Sequence, residues 1–288
     1  MLSYVKSVLD FSAFRPEPDD PQASWKNRFP GRATALLHVG RNTVSFSKIG
    51  PKGDLEPGVS KQGEYKEIFA ELGPQIREEA FEGWCVVSLN TRYVISVESN
   101  LSRKPGSEVA LKKDPRSVLH ARYEKGKRYA VTHNPETNSS LLLTLDEENV
   151  KKVETQCKEH KLKVGRICCG AYVLLRHALS VTNVKKGSET PTSALYIACC
   201  GGSVCALAQE KDTWIEVRSR PDLYGEDIKP LLDLLQPFQE RLATSAEVVL
   251  ACDEPIDQLP GELAAMFPAR ELRDLSEPGL LAKLLHTY

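Results

Sequence analysis

Two short glycine-bearing turns hold the residues best suited to chemistry. One is Gly201-Gly202-Ser203, flanked by the apolar runs Ser193–Cys200 and Val204–Ala208. The other is Gly40-Arg41-Asn42-Thr43, between Ala35–Val39 and Val44–Ile49. Glycine takes positive φ without steric cost, and successive backbone amides at such a turn can point at one anion. Gly40, Asn42, Thr43, Gly201, Gly202 and Ser203 are therefore the candidate anion-binding set. The same residues suit an ordinary hairpin, in which Gly201-Gly202 supplies the two positive φ angles of a tight turn. Slid over one another without a gap, the two stretches match Thr43-Val44 to Ser203-Val204 and Leu37 to Ile197. That is the pattern of a duplicated, two-lobed fold.

Other reactive residue types lead less far. Cys168-Cys169 and Cys199-Cys200 are vicinal pairs. Neighbours on a strand face opposite ways, so neither pair can readily hold one ion, and neither has C-x-x-C spacing. His38, His120, His133, His160, His177 and His286 show no ligand spacing, and His177 reads as a packed or helix-end residue. Ser203 lacks the Gly-x-Ser-x-Gly setting of a nucleophile. No metal site and no catalytic residue is expected.

Composition bounds the rest. With 38 basic and 39 acidic residues, the chain has no charge excess that would drive general binding to nucleic acid or anionic lipid. No apolar run reaches the ~18 residues of a spanning helix, and the N-terminal stretch lacks the plan of a secretory signal, so a cytoplasmic protein is expected. The cysteines lie mostly in apolar runs, as reduced buried thiols do.

The elements that must position the turns can be read in order. Residues 2–14 have helical periodicity and are followed by Pro16-Glu-Pro-Asp-Asp-Pro21, so residues 1–32 read as an amphipathic segment and tether. A first lobe is expected over 33–182. It holds a helix over 64–80 with a kink or break at Gly73-Pro74, and a strand over Trp84–Leu89 covered on both faces. Within this lobe, residues 100–140 read as an inserted subdomain, with a small basic patch at Lys112, Lys113 and Arg116. Leu141–Leu145 reads as a strand and Asp146 as the cap of a helix running to about His160. A strand to Cys168 and a helix over 171–179 complete a β-α-β-α unit of a layered sheet. Lysines 151, 152, 158, 161 and 163 alternate with acids as a solvated face. Asn183–Pro191 is the linker, and 193–288 the second lobe, with a helix over 226–242, a strand over 247–252 and a short strand over 269–272.

This plan resembles the actin-like (ribonuclease H-like) ATPase superfamily, and within it the PilM-like assembly proteins of type IV pili and the cytoplasmic part of type II secretion L proteins. The resemblance is carried by Val86-Val-Ser-Leu89, by Leu141–Val150 through Cys169–Leu179, and by Glu247–Leu250 through Gly279-Leu-Leu281. It implies an α/β fold of two actin-like lobes, with an insertion in the first and a shortened second lobe lacking the family's fourth subdomain. In that superfamily each hairpin carries Asp-x-Gly and then Ser or Thr, cradling phosphates and orienting hydrated Mg²⁺. Here His38 stands where the first Asp belongs, and Ala198, Cys199 and Cys200 precede the second turn. The adenosine-binding glycine pair is also replaced, by Ala251-Cys-Asp-Glu-Pro255. The resemblance therefore implies a pseudo-ATPase scaffold that needs no cofactor, ATP–Mg²⁺ included.

Its expected partner is a PilN-like single-pass inner-membrane protein, held by its cytoplasmic N-terminal peptide, with other platform proteins alongside. The chain would then sit peripherally at the inner membrane, with no integral segment and no nucleic-acid partner. A nucleotide-binding ATPase and a sugar-kinase-like relic binding a small molecule are the alternatives.

Overall fold

The computed structural model describes residues 33–56, 58–79, 83–99, 114–133, 140–182, 193–210, 213–223, 227–242 and 246–286. The expected 2–14 helix, its tether, the 183–191 linker and Lys112-Lys113 lie outside the described residues.

Strand β1 (Ala33–Val39) reverses into β2 (Thr43–Lys48), and β3 (Val59–Gln62) adds to β2 antiparallel. Helix α1 (Tyr65–Glu79) leads to β4 (Trp84–Leu89), parallel to β1. The chain then leaves this sheet for β5 (Ile95–Ser99), α2 (Pro115–Leu119), β6 (Lys127–His133) and β7 (Ser140–Asp146). Helix α3 (Glu147–Glu159) brings it back to β8 (Val164–Cys168), parallel to β4, and α4 (Gly170–Thr182) follows.

The second half repeats the plan. It runs β9 (Ala194–Cys200), β10 (Ser203–Glu210), β11 (Thr213–Arg220), α5 (Lys229–Leu235), α6 (Phe238–Arg241), β12 (Glu247–Cys252), α7 (Leu259–Met266), β13 (Glu271–Asp274) and α8 (Leu280–His286). The two five-stranded sheets have the orders β3-β2-β1-β4-β8 and β11-β10-β9-β12-β13. Their registers match as well. Val39 pairs with Val44 and Cys199 with Val204; Leu37 pairs with Phe46 and Ile197 with Ala206. The gapless correspondence of the two hairpins is thus a true structural one.

Burial on both faces explains the composition of the central strands. All seven residues of β9 are buried. Leu195, Ile197 and Cys199 meet a core formed with α5, α6 and α7, while Tyr196, Ala198 and Cys200 face the core shared between the lobes. Helix α4 packs on β9, β10 and β12, and α8 packs on α4 and β1, so each lobe's closing helix lies against the other lobe. All eight cysteines are buried free thiols.

Four local readings differ from the structure. Leu141–Leu145 is a strand, but it pairs antiparallel with β5 and β6 in a separate three-stranded sheet, order β5-β7-β6. Its leucines split accordingly: Leu141, Leu143 and Leu145 face the main core, and Leu142 faces α2 and Tyr129. Asp146 does stand at the start of α3, yet its carboxylate makes no cap bond. It binds Lys127 Nζ at 2.9 Å instead, its register partner on β6, a bond in which both groups carry charge. Helix α1 runs through Pro74 without a break. Conversely, the single helix expected over 226–242 divides around Gln236-Pro237.

Candidate functional site

The two turns meet across one cleft of about 560 Å³. Gly40 and Thr43 line it from the first lobe, Gly201 and Gly202 from the second, whereas Asn42 and Ser203 are not among its lining residues. Gly201 and Gly202 have φ of 54° and 77°, the two positive angles of a tight hairpin turn. In the first turn the Gly40 amide donates to the Thr43 carbonyl at 2.9 Å, and the Asn42 carbonyl accepts the Gly63 amide at 2.9 Å. The Gly40 carbonyl in turn accepts the Tyr65 hydroxyl at 2.5 Å, with Tyr93 beside it. Ser203 is 1% exposed, and its hydroxyl accepts the Thr91 amide at 3.1 Å. These groups are engaged in closing turns and joining elements.

A latch spans the rim. Asp222, with a left-handed φ of 50°, accepts Asn90 Nδ2 at 3.0 Å and Arg92 Nη2 at 3.1 Å from the opposite lobe. The Asn90 side chain is fixed by its own Oδ1, which accepts the Arg92 backbone amide at 2.9 Å. The electrostatics of the cleft follow from its lining. Asp222 and Glu254 contribute acid, and none of the described lining residues is Lys or Arg.

At the floor, strand ends from both lobes gather three residues that sequence spacing does not connect. His38 closes β1, Cys200 closes β9 and Asp253 follows β12. His38 Nε2 lies 3.7 Å from Asp253 Oδ2, and Cys200 Sγ 4.0 Å from His38 Nδ1. Asp253 is 2% exposed, and its Oδ1 accepts the Leu281 amide at 2.7 Å. Burial raises the Cys200 thiol well above its ordinary range, the Asp253 carboxylate adds to this, and a hydrogen bond with Ser88 opposes it. The opposed facing of vicinal residues sends Cys200 here alone, while Cys199 points to the other core. Spacing carries no sign of this cluster; only position at the strand ends could have pointed to it. β1, β9 and β12 are mutually parallel or duplicate strands, and α/β sheets collect functional groups at strand C-termini.

No protein-family model matches the sequence, and no curated protein matches it significantly. Solved structures do match in shape. One is the PilM–PilN type IV pilus biogenesis complex, with a TM-score of 0.54 at 11% identity over 89% of this chain and 98% of that one. Another is the cytoplasmic domain of EpsL, an inner-membrane component of the type II secretion system of Vibrio cholerae. Its TM-score is 0.50 at 12% identity, covering 87% of this chain and 92% of that one. At such identities the likeness is one of fold. With two sheets of the same strand order, an inserted third sheet and closing helices between the lobes, the chain has the two-lobed actin-like fold.

Proposed function

We propose that the protein is a non-catalytic actin-like scaffold of a type IV pilus or type II secretion-like assembly platform at the inner membrane. The observation that carries the non-catalytic part is the chemistry of the cleft. A nucleotide triphosphate requires positive charge and metal-orienting carboxylates around its phosphates. The hairpin ends offer His38 and Cys200 in those places, the Gly40 amide is already bonded, the described lining holds no Lys or Arg, and its acid Glu254 repels phosphate. The shape likeness to PilM in complex with PilN, and to EpsL, supports the platform setting.

The partner in this reading is the cytoplasmic N-terminal peptide of a single-pass membrane protein, bound on the first lobe near the inserted sheet. Strand β5 pairs only with β7 among the described strands, and Ile95 and Val97 stand 57% and 49% exposed on it. An unpaired edge with apolar side chains at alternate positions suits strand addition by an extended peptide. No helix among the described residues is long and apolar enough to cross a membrane, so on this reading attachment comes through the partner. Calorimetric titration of the full chain with ATP–Mg²⁺ tests the non-catalytic part. We expect no heat of binding up to millimolar nucleotide and no phosphate release; micromolar binding or turnover would restore the ATPase reading.

A further inference from the structure

We propose that His38, Cys200 and Asp253 form a zinc-class divalent metal site that clamps the two lobes at the floor of the cleft. One ligand atom from each of the three residues lies within 4.8 Å of the others. A tetrahedral zinc site places ligand atoms about 2.0–2.3 Å from the metal, hence roughly 3.3–3.8 Å from each other. The 3.7 Å to Asp253 is from His38 Nε2 and the 4.0 Å to Cys200 from its Nδ1. Only one of these nitrogens can bind the ion, so with one donor atom per residue the separations reach up to 4.8 Å and the side chains must close in by about an ångström. Imidazole, thiolate and carboxylate together are a zinc-class donor set, and the open cleft leaves room for a water as the fourth ligand.

Three further observations favour a cation here. Asp253 is nearly fully buried, and its Oδ2 faces the ring of His38, 3.7 Å from Nε2. A carboxylate on so buried a side chain is favoured by a positive charge facing it. The supporting shell is built as metal sites build theirs. Asp253 Oδ1 is anchored by the Leu281 amide, and Ser88 Oγ, which accepts the Gly170 amide at 3.1 Å, is left with its proton for the Cys200 sulfur. The described residues lining the cleft, finally, include no Lys or Arg, and with Asp222 paired to Arg92 at the rim, Glu254 adds an acid there, a balance that favours cations over anions. Binding would displace the thiol proton to solvent as the sulfur–metal bond forms, so no oxidant or other reactant is needed.

Because His38 belongs to β1 and the other two residues to β9 and the end of β12, the ion would join the lobes directly. This inference is independent of the platform reading, and its test uses metal alone. The full chain, stripped with chelator, is titrated with Co²⁺ as an optical probe and with Zn²⁺ against a chromophoric competitor. We expect one equivalent bound, a thiolate-to-cobalt charge-transfer band, tetrahedral visible bands and a raised melting temperature with Zn²⁺. His38→Ala, at a partly exposed position that tolerates change, should weaken zinc by about a hundredfold, as loss of a direct ligand does at least as strongly as loss of its support. Cys200→Ser should remove the charge-transfer band, while Cys157→Ser, buried in the first lobe, keeps both. Absence of the band in the wild type, or zinc affinity unchanged by His38→Ala and Cys200→Ser, overturns the proposal.

Discussion

Ser203 shows how a residue of the candidate anion site acts instead as structure. Its hydroxyl receives the buried Thr91 amide from the other lobe. Ser203→Ala would leave that amide unmet inside the protein, an expected loss of about 1–3 kcal/mol. Urea unfolding should show this as a lower midpoint with unchanged slope. The thiols set a second expectation. Burial pushes Cys85 and Cys205 up to about 12, the latter partly opposed by a hydrogen bond with Tyr172. In the unfolded chain such thiols ionise near ~8.5. The folded form therefore holds protons that the unfolded form releases. The stability they contribute is complete below the unfolded value and lost as pH rises toward the folded one, by about 1.4 kcal/mol per pH unit per thiol. Chemical unfolding from pH 7 to 10.5 should give a plateau and then a decline, and Cys85→Ala should flatten the decline relative to wild type. The turn glycines and buried cysteines were legible because their residue types dictate them. The His38–Cys200–Asp253 cluster was not, because it exists only once separate strand ends are brought together.

Among the elements, α3 and the inserted sheet are joined by an ionic trio. Arg128 on β6 is fully buried and donates through Nε and Nη2 to Glu147, and at 2.9 and 2.8 Å to Glu154. Burial disfavours its charge, but the bonds to the two carboxylates more than offset this and hold its pKa above the ordinary value. Arg128→Met would leave two facing carboxylates in a buried setting, an expected loss of about 3–5 kcal/mol. Glu154→Gln keeps the Glu147 pair and should cost clearly less. Amide exchange should localise the loss to β6, β7 and α3. Helix α1 carries a prediction of unusual sign. Gly→Ala in a helix interior ordinarily stabilises by about 1 kcal/mol. At Gly73 a Cβ would stand 2.6 Å from His160 Nδ1 and 2.9 Å from its Cβ, so Gly73→Ala should lower the melting temperature. Periodicity revealed where α1, β4, β9 and α4 lie. It could not reveal that β7 joins an antiparallel sheet of its own, since a run of leucines fits a central strand of any sheet. Nor could it show α1 continuing through Pro74, which tertiary packing decides.

For the whole molecule, the duplicated hairpins told the architecture, because two copies of one unit leave matching registers. The function is less visible, since an actin-like fold hosts enzymes and scaffolds alike and only the site distinguishes them. The cleft argues against phosphate chemistry, and the exposed β5 edge argues for an extended partner. The most direct test is affinity capture of the tagged full chain from solubilised inner membrane of its own cell, beside an Ile95→Asp/Val97→Asp double variant shown to be folded. We expect a single-pass protein of a pilus or secretion platform to be retained by the wild type, lost from the variant, and displaced by a synthetic peptide of its cytoplasmic N-terminus. Retention of no such protein by the wild type, under conditions where the platform itself stays intact, would contradict the platform reading.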